Sequence, residues 1–322
     1  MNKDCKLMKI LGAIAVSAML IGCSSVPAAD ESAGDGSASG ETRVPVLEYP
    51  AKNPDVYEPG NGWTLSWSDE FEGTTLDENV WTRQKMMFPY NNELQRYTAA
   101  PETARVEDGN MILTVERIKE GSMRGSFTSA RVISNPGGED GNSAAEGKTF
   151  LYGKIAARIQ VPYGRGLWPA FWMLGDNCSE TGGDAAWPGA GEIDILESGS
   201  VKAPNYGQGT VSGALHHDPS PGNTRKQNLC LDSALVTLPN GELMGEKFRV
   251  YEIEWDKEKI VWKLDGVQFG EMSISEDTRD EFHKPFYVLF NVAVGGNFTV
   301  SPDETTVFPQ YMYVDWIRHY TR

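Results

Sequence analysis

The stretch GEIDILES, residues 191–198, decides how this 322-residue chain folds. Its three carboxylates are interleaved with branched apolar residues, which is typical of a β-strand. Successive side chains of a strand point to opposite faces, so Glu192 and Asp194 share a face. Glu197 would instead point into the core, where a lone carboxylate is costly to bury. One β-bulge between Asp194 and Glu197 returns Glu197 to the outer face, so we predict a bulged strand with all three carboxylates on one surface.

Short β-type runs separated by turn residues extend on both sides of this stretch. The clearest are Met111–Arg117, Gly153–Val161, Thr210–His216, Arg249–Trp255, Ile260–Leu264, Phe286–Ala293 and Tyr311–Tyr320. Turn signals such as Asp265-Gly266 lie between them. The only helical pattern is one or two turns within Ser275–Phe282. Many short strands with regular turns predict an all-β sandwich or barrel, and a single large domain accommodates them.

Carboxylates on one surface suit acid–base and nucleophilic chemistry. Retaining glycosidases use two carboxyl groups about 5–5.5 Å apart, one attacking the anomeric carbon and one protonating the leaving oxygen. The Cα atoms of Glu192 and Glu197 would lie about 13 Å apart, so both side chains must lean together on a concave strand. Asp194 between them would hydrogen-bond one of the pair. On these residues alone, a solvated acidic face or a calcium-binding edge remains the alternative.

Tryptophans cluster just before this strand, in GLWPAFWM at residues 166–173 and in AWP at residues 186–188. A sugar ring has an apolar C–H face that stacks on an indole, while its hydroxyl groups need polar partners. Tryptophans beside carboxylates are therefore typical of a saccharide cleft. A place in the hydrophobic core is the alternative for each of them.

Net charge and cysteine spacing limit the classes of partner. The chain has 45 Asp and Glu against 29 Lys and Arg, a formal net charge of −16. Such a surface repels nucleic acid at long range and leaves a neutral polymer unaffected. No CxxC spacing indicates a zinc or redox site, and Cys178 and Cys230 either pair or remain free thiols. We expect a monomer that binds no nucleic acid.

Residues 1–22 are predicted to be an export signal. Three lysines precede an apolar run, Ile10–Ile21, that is too short to span a bilayer. The run leads into LIGC, residues 20–23, which resembles a bacterial lipobox and predicts a lipid on Cys23. An ordinary signal peptide with a chance cysteine is the alternative.

Residues 23–57 are predicted to be a flexible linker, because much of this segment is rich in Ser, Ala, Gly and acidic residues without apolar periodicity. Residues 58–322 form the predicted catalytic domain. Together these segments predict an exported protein that is anchored by its lipid to a bacterial membrane, at the outer membrane or the cell surface.

The carboxylate stretch also resembles the signature of glycoside hydrolase family 16, in its laminarinase-like branch. Further matches are spread over residues 60–322. They are Trp67–Phe71, Asn91–Gln95, Thr128–Arg131, Gly166–Met173, His216, Tyr251–Trp255, Phe290–Asn297 and Val314–Trp316. The resemblance implies a β-jelly roll of two curved antiparallel sheets with a concave substrate cleft.

By this resemblance the activity is retaining, endo-acting hydrolysis of β-1,3-glucan without a catalytic cofactor. Glu192 is then the nucleophile, Glu197 the general acid/base and Asp194 their helper. The extra residue Leu196 is typical of the laminarinase-like branch rather than of the mixed-linkage lichenases. The alternatives are the same catalyst on mixed-linkage glucan or another β-glycan, and a non-catalytic glycan-capture lipoprotein.

The resemblance implies two further sets of residues. Those that would contact substrate are Asn91, Arg131, Trp168, Trp172, Trp187 and His216. Those that would hold a structural calcium ion are Glu70, the Gly109 carbonyl and Asp315. Departures from the family pattern are expected in two loops, Thr181–Asp184 and Asp218–Leu238, and loops of this kind set the depth of a cleft.

Overall fold

The computed structural model describes residues 57–135, 147–218, 230–275 and 277–322, with the backbone alone at residues 230–232, 277 and 278. The predicted signal segment, Cys23 and residues 24–56 of the predicted linker lie outside these residues. Within them no helix is both long enough and apolar enough to cross a membrane.

The described residues contain eighteen strands and five short 3-10 helices. The strands are β1 (Thr64–Asp69), β2 (Thr82–Arg83), β3 (Gln95–Tyr97), β4 (Ala104–Glu107), β5 (Asn110–Arg117), β6 (Phe127–Ser129), β7 (Arg131–Ile133), β8 (Thr149–Phe150), β9 (Gly153–Gln160), β10 (Leu167–Gly175), β11 (Glu192–Glu197), β12 (Thr210–His217), β13 (Cys230–Thr237), β14 (Arg249–Trp255), β15 (Lys259–Leu264), β16 (Val267–Ser273), β17 (Phe286–Val294) and β18 (Gln310–Thr321). The 3-10 helices are Ser179–Thr181, Pro204–Gly207, Pro239–Gly241, Met244–Glu246 and Asp277–His283.

The strands form two sheets. Sheet I has the order β16-β15-β14-β9-β18-β5-β6-β3, with β1 beside β18 and β4 beside β5. Sheet II has the order β13-β12-β11-β10-β17-β7-β2, with β8 beside β17. Neighbouring strands are antiparallel except β3 and β6. This arrangement confirms the predicted all-β fold class, the two-sheet jelly roll.

The hydrophobic core lies between the two sheets, because alternate residues of each strand point inward. In β9 the inward residues include Ile155 and Ile159, and in β11 Ile193. Phe171 of β10 stacks on Phe290 of β17 with ring centroids 4.8 Å apart. The residues that alternate with these therefore form the outer faces of the sandwich, and the three carboxylates of β11 lie on the outer face of sheet II.

The predicted bulge is confirmed by the register of β11. Asp194 pairs with Ala214 of β12 and Glu197 pairs with Ser212, so two residues of β11 lie opposite the single residue Gly213. The two bulge residues, Ile195 and Leu196, are both buried in the core. The bulge thus buries two successive apolar side chains and leaves Glu197 on the outer face. In a regular strand Glu197 would point into the core.

The expected loop at Asp218–Leu238 is partly wrong, because its second half forms the edge strand β13. This strand pairs with β12 from Thr210–Thr237 to His217–Cys230. Ser233, Leu235 and Thr237 on one face of β13 are exposed. Apolar and polar residues are mixed at both alternating sets of positions in β13, so its sequence shows no strand periodicity and reads as a loop.

The first described residue packs on the outer face of sheet I. The ring of Tyr57 lies 5.1 Å from that of Trp316, and its hydroxyl donates to Oε2 of Glu252 at 2.5 Å. Glu252 alternates along β14 with the core residues Tyr251 and Ile253. The chain therefore enters the domain on the face opposite the three carboxylates.

Candidate active site

The carboxylates at the two ends of β11, Glu192 and Glu197, each accept a hydrogen bond from an indole of a neighbouring segment. Trp187, in the loop before β11, donates from Nε1 to Oε2 of Glu192 at 2.8 Å. Trp168, at the start of β10, donates from Nε1 to Oε1 of Glu197 at 2.9 Å. Trp168 is itself stacked on Phe298, with ring centroids 4.7 Å apart. Two side chains separated by the bulge are thus fixed from opposite ends of the strand.

His216 connects the carboxylates of Glu192 and Asp194. Its Nε2 lies 3.1 Å from Oδ2 of Asp194 and 3.4 Å from Oε1 of Glu192. His216 pairs directly with Glu192 across the β11–β12 ladder, which places its side chain on the same outer face. The structure therefore brings six of the sequence-predicted residues into one cluster: Glu192, Asp194, Glu197, Trp168, Trp187 and His216.

Burial changes the acidity of the three carboxyl groups. Burial, together with the negative charge of Asp194, raises the pKa of Glu192 to about 8 against the lowering effect of His216. The same two causes raise the pKa of Glu197 to about 8, against the lowering effects of His216 and Trp168. Burial raises the pKa of Asp194 to about 8 as well. The cluster therefore retains protons at neutral pH, and one carboxyl group is available to donate a proton.

A second polar cluster lies beside the first, across β10 and β17. Trp172, which pairs with Asp194 in the sheet, donates from Nε1 to Oδ1 of Asn291 at 2.7 Å. The Asn291 amide donates to the Tyr97 hydroxyl at 3.0 Å, and that hydroxyl donates to Oε2 of Glu93 at 3.3 Å. This chain of hydrogen bonds fixes the orientation of the Trp172 ring at the surface of sheet II.

Arg131 supports the same ring from β7. Its guanidinium carbon lies 5.1 Å from the centroid of the Trp172 ring, and its Nη1 is paired with the carboxylate of Glu180. The Arg131 side chain is only 5% exposed and that of Glu180 only 14%, so this is a buried ion pair. Arg131 thus contacts the Trp172 ring rather than the carboxylate cluster itself. Its ion pair with Glu180 holds the loop on which Glu180 lies.

The sequence interpretation missed Glu180, Asn291, Tyr97 and Glu93 as site residues. Asn291 and Glu93 lie inside the family motifs Phe290–Asn297 and Asn91–Gln95, which was the available signal. Asn91 itself is exposed in the loop before β3, where its backbone carbonyl accepts a hydrogen bond from the backbone N–H of Asn297 at 2.8 Å. It belongs to the loops beside sheet II and not to the hydrogen-bonded carboxylate cluster.

Comparison with known proteins assigns the family. The family model described as "Glycosyl hydrolases family 16" matches residues 91–318. The chain belongs to glycosyl hydrolases family 16.

Relatives of this family 16 hydrolase include both short and long proteins. It is 33% identical to a beta-glucanase of Rhodothermus marinus over 276 residues, 80% of this chain and 85% of the relative. It is 30% identical to the clotting factor G alpha subunit of Tachypleus tridentatus over 80% of this chain, but spans only 34% of that protein. The laminarinase catalytic domain of Thermotoga maritima superposes with a TM-score of 0.65 at 34% identity, covering 81% of this chain and 98% of that domain.

The positions that the family resemblance assigns to calcium lie next to the places where β1 and β5 pair with β18. Asp69, beside Glu70, pairs with Ile317, and Met111, two residues after Gly109, pairs with Val314, beside Asp315. Two carboxylates and a carbonyl fit the oxygen donors that calcium prefers. Both carboxylates also bind arginines: Glu70 accepts two bonds from Arg318 at 2.8 Å, and Asp315 accepts one from Arg158 at 2.6 Å.

A second set of metal-ligand side chains coincides with the carboxylate cluster. Within the described residues, ligand atoms of Glu192, Asp194 and His216 lie within 4.8 Å of one another. Cys178 is a buried free thiol, and the side chain of Cys230 lies outside the described residues, so neither alternative for these two cysteines is tested.

Proposed function

We propose that this family 16 enzyme is a retaining, endo-acting hydrolase of β-1,3-glucan. The observation that carries the proposal is the bulged strand β11, which presents Glu192 and Glu197 on one face with an indole bonded to each. The names of the Rhodothermus marinus beta-glucanase and the Thermotoga maritima laminarinase support the substrate class. The net charge of −16 favours a neutral polymer over a sulfated one.

Glu192 acts as the nucleophile in this proposal. Its carboxylate attacks the anomeric carbon and forms a glycosyl-enzyme ester, while Glu197 transfers its proton to the departing glycosidic oxygen. Glu197, now ionised, removes a proton from water, and that water displaces Glu192 from the anomeric carbon with net retention. The raised pKa of Glu197 keeps its proton in place before the first step.

Asp194 and His216 adjust the charge around the pair. An ionised Asp194 raises the pKa of both glutamates, and a charged His216 lowers both. His216 lies within 3.4 Å of Glu192, so its imidazole stabilises the ionised nucleophile. The two residues therefore set the division of protons between Glu192 and Glu197.

Three tryptophans form the proposed sugar-stacking surface. Trp187 is 43% exposed, and Trp168 and Trp172 are partly buried on the same outer face. Their N–H groups are already bonded to Glu192, Glu197 and Asn291, so the free parts of the rings are apolar. Apolar ring surface beside carboxylates suits the C–H faces of successive glucose units.

The decisive experiment compares Glu192→Gln and Glu197→Gln with the unmodified chain on laminarin, lichenan and agarose. Reducing ends and product sizes are followed over time. We expect the unmodified chain to release mixed short oligomers from laminarin, and both variants to lose this activity. Glu258→Gln is the control, because Glu258 is an exposed carboxylate on the β14–β15 turn.

Each other outcome of this experiment has its own meaning. Cleavage of lichenan without cleavage of laminarin would move the substrate to mixed-linkage glucan and leave the mechanism intact. Binding of laminarin without cleavage by the unmodified chain would overturn the hydrolase proposal and favour a capture protein. Full activity of either Gln variant would overturn the role given to that glutamate.

We further propose that Cys23 is lipidated and that one calcium ion binds near Glu70, Gly109 and Asp315. The entry of the chain at Tyr57, on the face opposite the carboxylates, supports a tether that leaves the cleft accessible. Metabolic labelling with a radioactive fatty acid, lost in Cys23→Ser, tests the lipid. A calcium-dependent rise in Tm, lost in Asp315→Asn, tests the ion.

A further inference from the structure

The bulge in β11 is bonded by a side chain from the opposite sheet. Trp262 of β15 is fully buried in the core, and its Nε1–H donates to the carbonyl of Asp194 at 2.7 Å. This carbonyl immediately precedes the two bulge residues, at the point where the ladder with β12 changes register. A bulge disrupts the ladder locally, so a donor placed there takes over a bond that a regular strand would make with its neighbour.

Gly213 makes room for this indole. It is the single residue of β12 that lies opposite the bulge, and a Cβ atom there would come within 2.3 Å of both Nε1 and Cδ1 of Trp262. Real side chains do not approach so closely, so any larger residue at this position displaces the indole or the strand. The bulge, the glycine and the indole therefore fit one another as a unit.

We propose that Trp262 is a positioning residue for catalysis: its bond to the Asp194 carbonyl fixes the bulge that turns Glu197 into the cleft. This inference rests on the proposed function for the role of Glu197. Without the bulge, strand alternation would direct Glu197 into the core. The orientation of a surface carboxylate is thus set by an indole that touches no substrate.

Core packing alone is the competing explanation, and Trp255 provides the matched comparison. Trp255 lies in β14, the neighbour of β15, and is also fully buried. Its Nε1 also donates to a backbone carbonyl, that of Phe282, at 3.2 Å. The two tryptophans share sheet, burial and bond type, and they differ in the segment that they hold.

Kinetics on laminarin with full-length Trp262→Phe and Trp255→Phe separates the two explanations. We expect Trp262→Phe to lower kcat by about tenfold or more with KM changed less than about twofold, because a misplaced catalytic group slows chemistry more than binding. Trp255→Phe loses a comparable bond and should keep kcat within about twofold. Equal kcat in the two folded variants would overturn the proposal. Trp262→Tyr is the second variant, to be used if Trp262→Phe does not fold. It also lacks the indole N–H, so the same loss of kcat is expected.

The indole resonances of the unmodified protein and of Glu197→Gln test the same coupling without altering Trp262. We expect the Trp262 N–H signal to move on Glu197→Gln substitution while the Trp255 signal stays in place. An unmoved Trp262 signal would overturn the inference even if neither Trp262 variant folds. Failure of the unmodified chain to cleave laminarin would instead refute the proposed substrate, and this spectroscopic result would stand apart from it.

Discussion

The indole N–H of Trp168 donates to Oε1 of Glu197 at 2.9 Å, and this bond opposes the effect of burial on the same carboxyl group. Burial raises the pKa of Glu197, whereas the donor from Trp168 stabilises the ionised form and lowers it. In the proposed mechanism Glu197 donates a proton in the first step and takes one from water in the second. The bond from Trp168 would therefore keep the pKa of Glu197 within a range where both steps proceed.

Substituting Trp168 by Phe removes the donor and retains most of the ring. The pKa of Glu197 should rise, so the alkaline limb of the pH profile of kcat/KM should move to higher pH. Loss of a bond to a charged group should also lower kcat/KM by about tenfold. Trp63→Phe is the control, because Trp63 stacks with Lys154 and Arg322 on the other sheet. An unchanged alkaline limb in Trp168→Phe would contradict this role.

Glu192→Gln should make the protein more stable at alkaline pH. The pKa of Glu192 is about 8 in the folded state, above the ordinary value of 4.5 for this group, so the folded state binds more protons than the unfolded state between these values. The contribution of the protonated Glu192 to the free energy of unfolding is therefore fully present below about pH 4.5 and declines as the pH rises to about 8. Gln carries no charge, so its advantage should grow from nearly zero at pH 4 to on the order of 1–3 kcal/mol at pH 9.

Thermal unfolding at pH 4 and pH 9 measures this difference. A change of 1 kcal/mol corresponds to about 2–4 °C in Tm for a domain of this size. Glu258→Gln on the exposed β14–β15 turn should show no such pH-dependent gain. A Tm of Glu192→Gln at or below that of the unmodified chain at pH 9 would show that the buried charge is not destabilising.

The sequence allowed the bulge to be predicted because the conflict is local: Glu192, Asp194 and Glu197 cannot share a face of a regular strand. The partners that hold the bulge could not be predicted in this way. Trp262 is 68 residues from Asp194, and an apolar strand such as β15 reads as core whether or not its indole bonds a bulge. The Arg131–Glu180 pair spans 49 residues and depends on a loop conformation that no periodicity specifies.

Replacing His216 by Gln should move the pH optimum upward. A charged His216 lowers the pKa of Glu192 and of Glu197, so its loss raises both. In the proposed mechanism the nucleophile Glu192 then ionises only at higher pH, so the acid and alkaline limbs of the kcat/KM profile should both move to higher pH. His283→Gln is the control, since His283 bonds the Tyr152 hydroxyl and the Ile274 carbonyl rather than a carboxylate of β11. A profile that only falls in height would assign His216 a contact role instead.

Glu180→Gln tests whether the buried ion pair beneath Trp172 supports substrate binding. The substitution leaves the Arg131 guanidinium buried with a neutral partner, which should destabilise the fold by about 3 kcal/mol and loosen the support of the Trp172 ring. In the proposed function Trp172 binds the substrate by stacking on a sugar ring and takes no part in the chemical step. KM for laminarin should therefore rise several-fold while kcat changes less.

The control for this change is an ion pair to Arg83 of β2, in which the carboxylate is exposed. Glu78 lies 3.5 Å from Arg83 with its side chain 73% exposed, so Glu78→Gln should alter stability by less than about 1 kcal/mol and leave KM unchanged. Equilibrium unfolding and initial rates over a range of laminarin concentrations provide both measurements. If Glu180→Gln lowers kcat and leaves KM constant, Trp172 acts on the reacting centre, because a binding platform affects the ground state and the transition state alike.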